Sequence, residues 1–175
     1  MVIAGVSSDR GKWSNIMFRR LLDGPFDGEL IAVNPARSEV EGQPCYASLR
    51  DVPGEVDYVQ LLVAREHTVD AVRDCVARKV PVVHVLSSGF GEVSGEGPGL
   101  QSALVEALAG GASALIGPNS LGLYSAGHGL CFSDGCHFDP GPVTFISQSG
   151  ALCTDVLAQG QIRGVKFSKV LSVGN

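Results

Sequence analysis

The sequence predicts an α/β protein: a mostly parallel, doubly wound sheet, followed by the start of a second, smaller α/β unit. Two observations carry that expectation. Short apolar runs alternate with segments of helical periodicity from Val2 to Ile116, and each run ends in a loop rich in Gly, Ser, Asn or Pro. After Gly122 the alternation breaks, and a fresh strand, loop, helix and strand follow between Val143 and Val173.

Composition narrows the partners. The 175 residues are 45% hydrophobic and 18% charged, enough for one substantial core and the beginning of another domain. A formal net charge of -5 argues against nucleic acid or an anionic membrane surface as a partner, so an anionic ligand must be met by a local site. No apolar run approaches the roughly 18 residues of a membrane span. Met1 leads straight into an apolar strand with no basic segment before it, so no secretory signal is visible and the expected location is the cytoplasm.

The first strand is expected over residues 2–6, followed by the loop Ser7-Ser8-Asp9-Arg10-Gly11-Lys12 and a helix capped near Ser14, with Met17, Phe18, Leu21 and Leu22 at helical spacing. Strand, small-residue loop and helix N-terminus form an anion-binding arrangement, to which Arg10 and Lys12 add charge. The second strand, 29–33, ends in Asn34-Pro35-Ala36-Arg37, without the acidic residue that holds the ribose of NAD. Arg37 suits a phosphorylated ribose, that of NADP or of coenzyme A. Residues 38–56 read as a connection with a short helix around 48–51.

A third strand is expected over 57–64. The helix after it, 66–79, buries Val69, Val72 and Val76, and a fourth strand, 82–86, contains His84, read as a core histidine. The loop from Ser87 to Glu92 follows, then a helix opened by Gly97-Pro98, in which Leu100, Ala103, Leu104, Ala107 and Leu108 form an apolar stripe. The fifth strand, 114–116, stops at Gly117-Pro118-Asn119-Ser120-Leu121-Gly122. Such a loop exposes backbone to a phosphate, a carboxylate or a thioester carbonyl. The ligand is expected across the carboxyl ends of these strands.

Residues 123–142 read as a hairpin or linker without a helix. Strand 143–146 then runs into Ser147-Gln148-Ser149-Gly150 and a helix over about 151–159, with Ser149 as its cap and a second anion-binding turn in front of it. A strand over 169–173 begins and the sequence stops, so it reads as the beginning of something longer. The five cysteines are irregularly spaced, with no Cys-x-x-Cys, and a disulfide framework is not expected. His128, Cys131, Cys136 and His137 are zinc-type donors, but the adjacent Cys136 and His137 and the unfamiliar spacing favour a small Gly-rich hairpin, and no metal site is expected.

Six segments taken together are specific: Gly5-Val6-Ser7, Val33-Asn34-Pro35, Ser88-Gly89-Phe90, Gly117 to Gly122, Ser147-Gln148-Ser149-Gly150-Ala151-Leu152 and Ser172-Val173-Gly174-Asn175. In this order the chain resembles the nucleoside-diphosphate-forming acyl-CoA synthetases, relatives of the succinyl-CoA synthetase α subunit. The resemblance implies a Rossmann-like CoA-binding domain over residues 1–125, a linker or hairpin over 126–142, and the first part of a flavodoxin-like ligase domain over 143–175. It implies an acid-CoA ligase reaction in which phosphate attacks the acyl-CoA thioester and the acyl phosphate passes its phosphoryl group to a histidine and then to ADP or GDP.

Carried onto this sequence, the resemblance places Gly5, Ser7, Ser8 and Lys12 along the CoA nucleotide, with Asn34, Pro35 and Arg37. Ser88, Gly89 and Phe90 flank the pantetheine, Asn119 and Ser120 lie near the thioester, and Ser147, Ser149 and Gly150 belong to a phosphate site. Ser120 stands where many α subunits carry Cys, and Arg37 is offset from the usual basic residue after Asn-Pro. None of His67, His84, His128 or His137 falls in the phosphohistidine motif, so no catalytic residue is assigned, and the chain alone is expected to bind CoA without turnover. ATP or ADP and Mg belong to an ATP-grasp domain or subunit outside these residues, in an oligomeric enzyme. Two other readings remain open: a CoA- or acyl-CoA-sensing module of the kind fused to acyltransferases, and an NAD(H)-binding redox-sensing domain, which Asn34 and the acidic balance disfavour.

Overall fold

The computed structural model describes residues 1–175. Its larger sheet is built from β1 (Val2–Ala4), β2 (Ile31–Val33), β3 (Glu39–Val40), β4 (Gln43–Tyr46), β5 (Tyr58–Leu61), β6 (Val82–Val85) and β7 (Ala114–Ile116). The helices between them are α1 (Trp13–Leu22), α2 (Arg65–Ala77) and α3 (Gly97–Leu108). The strand order is β3-β4-β2-β1-β5-β6-β7, parallel throughout except for the β3–β4 hairpin.

Burial follows from the two-residue period of the strands. Val2 and Ala4 point to one face, where they meet Val59, Leu61, Val83 and Val85 and the inner sides of α2 and α3 (Val69, Val72, Cys75, Leu104). Ile3 points to the other, against Phe18 and Leu21 of α1 and Ala32. Both faces are therefore covered, as a parallel sheet requires. Because the chain leaves β1 for β2 on one side and later returns to β5 on the other, the strand order reverses between β1 and β5, opening a crevice at their carboxyl ends.

The smaller sheet contains β8 (Gly122–Ser125), β9 (Val143–Ser147) and β10 (Phe167–Ser172) in the order β8-β10-β9, with α4 (Gly150–Ile162) joining β9 to β10. β9 and β10 are parallel, and β8 is antiparallel to β10. Its core gathers Tyr124, Phe132, Cys153, Leu157, Phe167 and Val170, and it also takes Met17 from α1. Helix α1 is thus held by two clusters at once.

The structure departs from the sequence expectations in several places. Residues 38–46 are not a plain connection: β4 pairs with β2 and extends the sheet by a hairpin. The segment expected as linker holds a 3-10 turn, Ala126–His128, and the strand just ahead of it, β8, pairs with β10 in the smaller sheet. Helix α1 begins at Trp13 with Lys12 as N-cap and no side-chain cap, because the buried Ser14 hydroxyl instead accepts from the Ser7 N–H at 3.1 Å. Cys131 and Cys136 form one local disulfide, which their spacing does not announce. His128 faces Asp27, with Nδ1 3.6 Å from its carboxylate.

Candidate functional site

The crevice between β1 and β5 is a cavity of about 230 Å³ lined by Gly5, Val33, Pro35, Leu49, Val63 and Ala71, among others. Gly5 closes its floor. Its N–H donates to the Val33 carbonyl at 2.8 Å, its φ is +89°, and a Cβ there would come within 2.5 Å of the Leu62 carbonyl oxygen. Only glycine allows this approach of two strand ends.

Beside the crevice lies the β1–α1 loop, whose conformation is set by its own side chains. The Asp9 N–H donates to Ser7 Oγ at 3.1 Å and the Gly11 N–H to Asp9 Oδ1 at 2.9 Å. Ser8 and Lys12 are exposed, and so are Pro35 and Arg37 across the crevice. The Arg37 guanidinium contacts its neighbour, the Ala36 carbonyl, at 3.3 Å. Asn34 joins the two loops: its Nδ2 donates to the Val6 carbonyl at 2.7 Å and its Oδ1 accepts from the Ala36 N–H at 2.9 Å. The structure brings Gly5, Ser7, Ser8, Lys12, Asn34, Pro35 and Arg37 to one edge.

Farther along the same edge, the Ser87 hydroxyl donates to the Val63 carbonyl and the Asn119 N–H to the Ser87 carbonyl, the latter at 2.9 Å. Here the loop after β6 meets the loop after β7 and the end of β10. The Gly117 N–H donates to the Val173 carbonyl and the Asn175 N–H to the Pro118 carbonyl, both at 3.0 Å. Ser147 joins this junction, its carbonyl accepting from the Val173 N–H at 2.9 Å. Ser149 caps α4 as expected, its Oγ accepting from the Leu152 N–H at 3.2 Å, and Gly150 packs on Leu121.

Two of the expected contact residues have buried side chains. Phe90 is fully buried in the main core, leaving its backbone at the edge. Ser120 is buried too: its Oγ donates to the Ser172 carbonyl at 2.5 Å and accepts from the Gly122 N–H at 3.0 Å. Ser88 and Asn119 are exposed and Gly89 is half-buried.

Several residues outside the expected contact set also meet this edge. Glu92 accepts from the Gly89 and Phe90 N–H groups at 2.5 and 3.1 Å, and from Asn175 Nδ2. Burial works against its charge, but the Gly89, Asn175 and Phe90 bonds outweigh it and hold its pKa below the usual carboxylate range. Arg65 reaches across from α2 to the Gly89 carbonyl at 3.5 Å. Glu41 pairs with Arg10 of the β1–α1 loop. The sequence signal for Glu41 was a Glu-Gly pair between two short strand-like runs.

A sequence profile described as a CoA binding domain matches residues 1–126, and one described as a succinyl-CoA ligase like flavodoxin domain matches residues 140–175. This chain belongs to the CoA-binding domain family. It is 36% identical over its whole length to the ADP-forming acetate–CoA ligase I of Archaeoglobus fulgidus, covering 25% of that protein. It is 31% identical to the α subunit of the ADP-forming acetate–CoA ligase II of Pyrococcus furiosus, covering 38% of it. Among solved structures, acetyl-coenzyme A synthetase 1 of Ca. Korarchaeum cryptofilum in complex with phosphate and ADP superposes with a TM-score of 0.87 at 31% identity, over 99% of this chain and 38% of that one. The CoA-binding domain chain therefore spans about a quarter to two-fifths of the relatives it matches, and it shares their α/β architecture.

Proposed function

We propose that this chain is the CoA-binding portion of an NDP-forming acyl-CoA synthetase. The observation that carries the reading is the continuous edge from Gly5 through Val63 and Ser87 to Asn119 and Asn175. It joins a crevice of about 230 Å³ at a strand-order reversal to a backbone-rich loop junction. A long ligand with an anionic nucleotide at one end and a reacting group at the other fits that edge.

In this reading Gly5, Pro35 and the apolar wall formed by Leu49, Val63 and Ala71 take the nucleoside. Ser7, Ser8 and Lys12 meet its phosphates, with Arg37 on the opposite rim. The pantetheine arm runs past Ser88, Gly89 and the Phe90 backbone. Asn119 presents its exposed amide to the thioester carbonyl, and the Ser147-to-Gly150 turn at the N-terminus of α4 holds the attacking phosphate. Attack on the thioester yields acyl phosphate and the CoA thiolate; the phosphoryl group then leaves for a histidine outside these residues. ATP or ADP and Mg belong to an ATP-grasp domain or subunit of the same, oligomeric and cytoplasmic, enzyme. Residues 1–125 form the CoA-binding unit of this assembly and 143–175 the start of its ligase unit.

An NAD(H) reading is disfavoured by Asn34, whose two amide atoms are committed to Val6 and Ala36 and leave no acidic group for a ribose diol. The test is calorimetric titration of the chain with CoA, acetyl-CoA and NADH in parallel. CoA species are expected to bind and NADH not; binding of NADH alone would sink the proposal. Lys12→Ala should weaken CoA binding, and the weakening should shrink as salt is raised.

A further inference from the structure

We propose that Glu41 is a specificity-determining residue of the nucleotide site: its carboxylate is a built-in counter-charge, bound to Arg10, against which any ligand phosphate must compete. The inference rests on the CoA reading above and concerns a residue outside the expected contact set.

Glu41 and Gly42 are the two central residues of the β3–β4 hairpin, with φ of +51° and +76°. Hairpin turns with two positive φ values favour Asn, Asp or Gly at the first position, and a glutamate there is held in a sparsely populated conformation. What the side chain touches accounts for its presence. Glu41 Oε1 accepts from Arg10 Nε at 3.1 Å and Oε2 from Arg10 Nη2 at 2.5 Å, a two-pronged pair. Asn15 Nδ2 donates to the same Oε1 at 3.0 Å and to the Ser7 carbonyl at 2.8 Å, so the carboxylate is wired into the β1–α1 loop itself.

The pair is lopsided. The Glu41 side chain is 11% exposed and that of Arg10 is 70% exposed, so the carboxylate is tucked under a guanidinium that faces solvent. The Arg10 and Asn15 hydrogen bonds pull the Glu41 pKa down to about 2, so it is charged throughout the physiological range. In the same loop the Gly11 N–H is held by the Asp9 carboxylate. Two donors that a phosphate would seek, the Arg10 guanidinium and the Gly11 N–H, are thus already engaged by the chain's own carboxylates.

A phosphate that reaches Arg10, in the same loop as Ser7, Ser8 and Lys12, must either draw it away from Glu41 or share it. In the first case an ion pair is lost, and in the second two anions stand on one cation. Both make the negative charge of Glu41 oppose the phosphate. The β3–β4 hairpin thus sets how much charge a ligand needs to be held, and it eases release of CoA, which in a reversible ligase is product as well as substrate.

The test compares the chain with its Glu41→Gln, Arg10→Gln and doubly substituted forms, titrated calorimetrically with CoA and with 3'-dephospho-CoA. Gln keeps an oxygen for Asn15 while removing the charge. Glu41→Gln is expected to bind CoA about two- to fivefold more tightly at low ionic strength. Arg10→Gln alone should weaken CoA binding, the doubly substituted form should recover part of that loss, and the Glu41→Gln gain should fade at roughly 0.5 M salt. A gain confined to CoA places the 3'-phosphate at Arg10; a gain shared with 3'-dephospho-CoA places the diphosphate there, and either supports the proposal. Unchanged or weakened CoA binding by Glu41→Gln, with the unsubstituted chain binding normally, overturns it and leaves the CoA reading standing. Failure of the unsubstituted chain to bind CoA removes both.

Discussion

The buried imidazole of His84 is hydrogen-bonded through Nε2 to the main-chain carbonyl of Ser120 at 3.0 Å. That contact fixes Nε2 as the protonated nitrogen and leaves Nδ1 buried without a partner. Strand β6, next to the edge strand β7, is thereby tied to the loop that meets the second sheet. His84 also stacks on Tyr58, with ring centroids 6.3 Å apart.

Stability should fall between pH 6.5 and 4 because of His84. Burial pushes the imidazole pKa from 6.5 down to about 4, against the opposing pull of the Ser120 carbonyl. Between those values the unfolded chain takes up the proton and the folded chain does not, so stability is complete above pH 6.5 and is lost as pH falls towards 4. The full loss is on the order of 3 kcal/mol. Urea denaturation at a series of pH values measures it, and His84→Gln should flatten the profile across this window.

Ser120→Ala removes a hydroxyl that bonds two backbone groups, on Ser172 and Gly122. Leaving buried polar groups unpaired costs about 1–3 kcal/mol. The denaturation midpoint should drop accordingly. A midpoint equal to that of the unsubstituted chain would mean the bridge carries no net stability.

Gly5→Ala should abolish CoA binding and destabilise the fold by more than about 1 kcal/mol, since the position combines a φ of +89° with a backbone contact that no rotamer relieves. Calorimetry with CoA, alongside circular dichroism of the same sample, separates loss of the site from loss of the fold.

Ser149→Ala deletes the cap on α4 and should cost roughly 1 kcal/mol locally. Hydrogen exchange of the Leu152 amide, which donates to that hydroxyl, is the direct readout.

The parallel sheet was legible because its strands are buried on both faces and read as near-continuous apolar runs, and the loops at its carboxyl edge because glycines mark the strand ends. The β3–β4 hairpin was not legible. Its strands have two and four residues and include Pro44, too little for a two-residue period to show. Phe90 shows a second limit: its local sequence, between two glycines in a loop, does not announce that the hydrophobic effect draws its ring into the core. Ser14 shows a third. It has the chemistry of a helix cap, but the Ser7 N–H claims its hydroxyl from within the helix, which no local propensity encodes.

The junction between the two sheets runs through main-chain bonds, Gly117 to Val173 and Asn175 to Pro118. Main-chain partners are indifferent to most side-chain replacements. The way the sheets meet therefore tolerates replacement of most side chains, with Gly117, Gly174 and Ser120 as the exceptions, since a Cβ at either glycine would meet a main-chain carbonyl and the Ser120 hydroxyl ties the loop after β7 to the second sheet. Side chains that point away from those main-chain bonds can change while the frame that joins the two sheets is kept.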